Sequence, residues 1–168
     1  MGVKITAATI LLLLAVAGGC ASIPQGSVTT GANKTQEEQN MNKEIHTLLQ
    51  NYQRALNEGK VDLVRSLYAD DAVFIGQPFP TATGVDDIVA LYAKFLSQLD
   101  FNVKFEILEV ELDGNLGFIR TQSVGTIVPK GQTPKGTERN REVFIVKKID
   151  GAWKFYRYIF NPEVGDSK

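Results

Sequence analysis

The sequence has little of what most metal and nucleophile chemistry needs. It carries one Cys, one His and one Trp in 168 residues. A single Cys excludes an internal disulfide and a Cys-rich metal site. A single His, His46, leaves zinc centres and His-based triads without their ligands. No metal and no cofactor is expected. Neither sign of charge dominates: 18 Lys and Arg stand against 19 Asp and Glu, a formal net charge of −1. With no basic cluster either, nucleic acid is not an expected partner. What is present is ordinary for a globular chain, with 43% hydrophobic, 22% charged and 9% aromatic residues. That composition argues against disorder, collagen and coiled coil. The length suits one domain with one core.

The start of the chain reads as an address. Lys4 precedes an apolar run, Ile5 to Ala17, that ends in Gly18-Gly19-Cys20. The run is shorter than the roughly 20 residues a membrane span takes, and the order of charge, apolar stretch and small residues is that of an export signal. Ala17-Gly18-Gly19-Cys20 resembles the cleavage box of bacterial lipoproteins. That resemblance implies a signal peptide over 1–19, lipidation at Cys20 and, with Ala21 next, an outer-membrane anchor facing the periplasm. The alternative is an ordinary secretory signal with Cys20 incidental. Acyl chains hold firmly when there are two or more, at roughly 0.8 kcal/mol per buried CH₂. Residues 21–40 are rich in Gln, Thr, Ser, Gly and Asn without apolar periodicity, the pattern of a flexible tether. The folded domain is expected over 41–163, with a short tail at 164–168.

Within that domain Ile45, Leu48, Leu49, Tyr52, Ala55 and Leu56 recur at helical spacing, and Gly59 suits the helix end. Val61, Val64, Leu67 and Tyr68 suggest a short second helix ending at Ala69-Asp70-Asp71, then a strand over Ala72 to Ile75. Pro78 and Pro80 keep the next segment out of a helix. Thr83 with Asp86 has the spacing of a capping box ahead of a helix whose face is Ile88, Leu91, Tyr92, Phe95, Leu96 and Leu99. After Asp100 the period becomes two. The adjacent Ile107 and Leu108 break the alternation, as a β-bulge would. Asp113-Gly114 and Asp150-Gly151 are hairpin signals between strands at Leu116–Val128, Asn140–Ile149 and Ala152–Asn161. Three helices, one short strand and four long antiparallel strands make an α+β layout, helices packed on one face of a bent sheet.

This order, with Leu67-Tyr68-Ala69-Asp70-Asp71-Ala72-Val73-Phe74, resembles the nuclear transport factor 2-like superfamily of ketosteroid isomerases, SnoaL-like cyclases and kinase association domains. Ala55-Leu56-Asn57-Glu58-Gly59, Gly84 and Asp150-Gly151-Ala152-Trp153-Lys154 extend the likeness over roughly 43–161. It implies a cone of helices and strongly curved antiparallel sheet around a mostly apolar pocket, and a homodimer formed through the sheet. It does not fix a function, because this fold carries many. Aligned on the Asp-Asp-Ala run, Gly76 stands where the isomerase base would be and Val143 where the protonated Asp would be. Only tyrosines carry over: Tyr52 as oxyanion-hole donor, with Tyr68 and Tyr92 supporting it. A donor without a base moves no proton from carbon, so isomerase activity is disfavoured and no catalytic residue is assigned.

By resemblance, one parity of the middle strands faces the pocket: Phe118, Arg120 and Gln122, then Arg141 and Val143. Two guanidinium groups would then meet inside a cavity walled by Tyr52, Phe74, Phe79, Tyr92 and Phe118, a setting for a carboxylate. The opposite reading pairs Arg120 with Glu109 or Glu142 at the sheet surface, since a one-residue slip reverses every face. In the last strand Tyr158 shares a parity with Tyr156 and Phe160, and Trp153 with Phe155; either set could line the cavity. His46 lies off its helix's apolar stripe, where solvent is expected. Asp70 and Asp71 are expected to be structural. The leading expectation is an envelope lipoprotein whose conical pocket binds a small, partly apolar, acidic molecule. The rivals are an isomerase, cyclase or hydrolase of this fold acting on a small hydrophobic substrate, and a structural role with the cavity filled.

Overall fold

A computed structural model describes residues 29–163. Helix α1 spans Thr29–Asn57, α2 Val61–Leu67 and α3 Val85–Gln98. Six strands, β1 (Tyr68–Gly76), β2 (Ala82–Thr83), β3 (Leu99–Asp113), β4 (Leu116–Pro129), β5 (Glu138–Ile149) and β6 (Ala152–Pro162), form one sheet in the order β2-β1-β6-β5-β4-β3. β1 runs parallel to β6, and the other pairs are antiparallel. The fold is α+β, three helices closing the concave side of a curved, open sheet.

The helical stripes are the ones the spacing marks. Ile45, Leu48, Leu49, Tyr52, Ala55 and Leu56 of α1 are all buried, as are Val64 and Leu67 of α2 and Ile88, Tyr92 and Leu96 of α3. Each of the buried Leu, Ile and Val side chains taken from water contributes roughly 1.5–3 kcal/mol. The last two turns of α1 also serve the sheet edge. Asn57 Nδ2 donates to the Val103 carbonyl while its Oδ1 accepts from the Val103 N–H, both at 2.9 Å, and Gln53 Oε1 accepts from the Phe105 N–H at 3.0 Å. Those side chains satisfy backbone groups that β3, an edge strand, would otherwise leave open.

Two bulges bend the long antiparallel strands. In β3 the pairing jumps from Ile107↔Thr121 to Glu109↔Arg120, leaving Leu108 extra, where the adjacent apolar pair marks the break. A second jump, from Ile145↔Arg157 to Val146↔Phe155, leaves Tyr156 extra in β6. Gly125 permits the close crossing of β3, since a Cβ there would strike the backbone of Asn102 and Val103. The β5–β6 hairpin closes through Asp150 and Gly151, both at positive φ (49° and 79°), the geometry whose twist matches that of the strands.

Three expectations change. Helix α1 begins at Thr29, not near Met41; residues 36–40 are exposed, so this part of the tether is helical without joining the core. The capping box at Thr83 and Asp86 does not form: Thr83 is in β2 opposite Val73, and Gly84 (φ 86°) is the N-cap, with no side-chain cap. Asp70 and Asp71 lie inside β1, which starts at Tyr68, and both are exposed. His46 is exposed, on the side the spacing assigns it. Cys20, the signal over 1–19 and the tail over 164–168 lie outside the described residues.

Candidate functional site: an aromatic cavity with one buried carboxyl

The long strands alternate, so their composition on alternate residues decides what the sheet's two faces offer. On the concave face β3 presents Phe101, Val103 and Phe105, β4 presents Ile119, Thr121 and Ser123, and β5 presents Glu142, Phe144 and Val146. The bulge at Tyr156 brings Trp153, Phe155, Tyr158 and Phe160 to that same side, since it shifts the phase between Phe155 and Tyr158. Both parities of β6 therefore serve the interior; the extra residue, Tyr156, is half-buried, its ring 3.6 Å beneath the Arg157 guanidinium, and Ile159 is exposed.

Helices and sheet enclose a cavity of about 210 Å³. Tyr52, Phe74, Phe79, Tyr92 and Tyr158, all expected there from sequence, line it. So do Phe101, Phe105 and Phe160, with Gln77, Pro78 and Glu138 nearer the exposed rim. The aromatic rings pack edge to face, Tyr52 against Tyr92, Phe144, Phe155 and Tyr158 with centroids 5.4–6.1 Å apart, a spacing and tilt their quadrupoles favour. Tyr68 is one layer back: its hydroxyl lies 3.1 Å from that of Tyr92, which is 2.5 Å from Tyr52's. Burial raises all three phenols well above their ordinary range, so they remain protonated donors at any ordinary pH.

Five expected pocket residues are on the other face. Phe118, Arg120 and Gln122 of β4 and Arg141 and Val143 of β5 point to the convex side. Arg120 Nε is 2.7 Å from Glu109 Oε2, both half-exposed, and Gln122 Nε2 donates to Glu106 Oε2 at 2.6 Å. Arg141, opposite Gln122 in register, is exposed. Val143 is half-buried there, and Phe118 joins Leu116 and Ile145 in a shallow outer groove. The arginine-floored pocket is thus overturned; the surface pairing with Glu109 is the one that forms. The reason is solvation: a parity carrying Arg120, Arg141 and Lys147 reaches water, because a guanidinium or ammonium inside an apolar wall would need a buried partner.

In their place stands Glu142, 2% exposed. Its Oε2 accepts from Thr121 Oγ1 at 2.6 Å and its Oε1 from Ser123 Oγ at 2.5 Å. Asn140 Nδ2 donates to Ser123 Oγ at 3.3 Å, which leaves the serine proton for Glu142. Burial pushes the carboxyl up to about 7, the two hydroxyl donors offsetting part of the effect. Near neutral pH the cavity wall therefore holds a group poised between acid and carboxylate. The charge on Glu142 in turn raises the Tyr158 phenol, though burial is the larger cause there. At Gly76, the isomerase-base position, a Cβ would collide with the rings of Phe160 and Phe74; aromatic packing fills the space a base would need. Among the described residues no cluster of His, Cys, Asp and Glu could hold a metal, and no helix is long and apolar enough to cross a membrane.

Glu142, Thr121 and Ser123 escape a reading by resemblance alone. A signal for them exists: Ile119-Thr121-Ser123 is free of formal charge, whereas Phe118-Arg120-Gln122 is not, and charged ends seek water.

Comparison with known proteins agrees with this geometry. The model of the SnoaL-like domain family matches residues 49–156, and the chain belongs to that family. Among solved structures it is similar to a ketosteroid isomerase-like protein from Erwinia carotovora atroseptica (TM-score 0.65, 26% identity, 71% of this chain and 94% of that one). It is also similar to an uncharacterized protein with a cystatin-like fold from Caulobacter vibrioides (TM-score 0.62, 17% identity, 75% and 92%). A third is a putative calcium/calmodulin-dependent protein kinase II association domain from Xanthomonas campestris (TM-score 0.61, 21% identity, 73% and 87%). No curated protein matches the chain.

Proposed function

We propose that the protein is an envelope lipoprotein, anchored through Cys20 and facing the periplasm, whose cavity binds one small, largely apolar molecule. The observation that carries this reading is an aromatic cavity of about 210 Å³ with a single buried carboxyl on its wall. A space of about 150 Å³ accepts benzene, and drug-sized ligands take roughly 300 Å³ or more. The occupant is therefore a single-ring or short-chain compound, smaller than a steroid. An acidic ligand loses its support, because Arg120 and Arg141 are outside. The exposed Ile75, Ile159 and Leu116 beside half-buried Val143 and Ile145 make the convex face apolar enough to support a homodimer through the sheet.

Thermal shift with a panel of one-ring hydrocarbons, alcohols and acids tests the binding. Stabilisation by the neutral compounds, lost when Phe105→Trp fills the cavity, supports it; no stabilisation by any compound refutes it. A second reading, a SnoaL-like enzyme, is favoured by Glu142 alone, whose titration near 7 suits general acid–base work. It requires turnover of a bound compound that Glu142→Gln abolishes.

A further inference from the structure

Resting on the cavity-binding reading, we infer that the ligand is an amine, its protonated nitrogen received by Glu142 and its apolar body held among the aromatic rings. The geometry makes Glu142 an acceptor. Thr121 and Ser123 each give their hydroxyl proton to a different carboxyl oxygen, and Asn140 fixes the serine's orientation. Two donors occupy about half of a carboxylate's acceptor sites, and the residue lines the cavity. What is missing is a positive charge. Among the described residues no Lys, Arg or His lines the cavity, and the nearby cations Arg120 and Arg141 are on the opposite face of the sheet, Arg120 paired with Glu109. Ionised Glu142 therefore has no counter-charge among the described residues. A ligand ammonium would supply it through a charge-assisted hydrogen bond.

The rest of the wall suits the same chemistry. Ring faces attract a cation, more strongly when water is excluded, and phenols from three elements (Tyr52 of α1, Tyr92 of α3, Tyr158 of β6) face the cavity uncharged. The other carboxyl on the lining is Glu138 near the rim, which also draws cations and repels anions. A carboxylate ligand would meet two acids and no base.

Calorimetry on the full-length protein with benzylamine, benzyl alcohol and benzoate tests the inference. At pH 8 benzylamine should bind at least about tenfold more tightly than benzyl alcohol, with benzoate weakest. The amine's advantage should fall by about tenfold per pH unit below 7 as Glu142 takes up its proton. Glu142→Gln should bring the amine-to-alcohol ratio close to one, and Glu142→Asp should keep a preference for the amine, which separates lost charge from lost folding. Equal binding of amine and alcohol at pH 8, or an undiminished ratio in Glu142→Gln, overturns the amine assignment while leaving the cavity reading in place. If none of the three compounds binds, both fall.

Discussion

The concave and convex faces of β3–β6 are built from alternate residues of the same strands, yet they obey different chemistry. The convex face pairs its charges in water, Arg120 with Glu109 at 2.7 Å, where such pairs contribute about 0–1 kcal/mol. The concave face holds a carboxyl that two neutral hydroxyls hydrogen-bond, and there burial, outweighing those bonds, moves its titration up to about 7. One residue of register separates a solvated ion pair from a group that can set what the cavity accepts. The difference teaches that the number of ionic contacts on this sheet says little about its function; the solitary, unneutralised acid says more.

Three changes probe that contrast, in decreasing order of effect. Phe144 is fully buried on the concave face, stacked on Tyr158 with centroids 4.1 Å apart. Phe144→Ala should destabilise by about 3–5 kcal/mol, read by chemical denaturation. Next is Glu142. An unfolded carboxyl titrates near 4.5 and the folded one near 7, so between those values the folded state holds the extra proton. The stability this group contributes is fully present below about 4.5 and declines as pH rises to about 7, by on the order of 3 kcal/mol. Glu142→Gln should flatten that part of the stability–pH curve, and an unchanged slope would place the carboxyl in water. The smallest effect belongs to the convex side: Arg120→Ala with Arg141→Ala should shift stability by under about 1 kcal/mol and leave small-molecule binding unchanged. A clear loss of binding there would return the arginines to the pocket.

Much of the fold was legible because periodicity is a local signal. The stripes of α1 and α3, both two-residue hairpins and the bulge at Leu108 all follow from spacing and turn chemistry. Less local features were not. The bulge at Tyr156 lies within a run of aromatic and basic residues whose alternation gives no sign of it, and it alone brings Phe155 and Tyr158 to one face. The helical start at Thr29 lies in polar sequence with no stripe to reveal it. Thr83 is a good cap by type, but pairing with Val73 holds it in a strand. The aromatic half of the site could be read because Tyr52, Phe74 and Tyr92 sit on clear core stripes, while Tyr158 lies on a strand whose inward parity the spacing left open. The polar half could not, since resemblance fixes the order of elements more firmly than which parity of β4 and β5 faces inward.

The most direct measurement is a pH titration of the glutamate carboxyl carbons by NMR, comparing the wild-type protein with Glu142→Gln. One carboxyl should titrate near 7, and its signal should be absent from the variant. Titration of every carboxyl in the ordinary acidic range would contradict a buried, unpaired acid on the cavity wall.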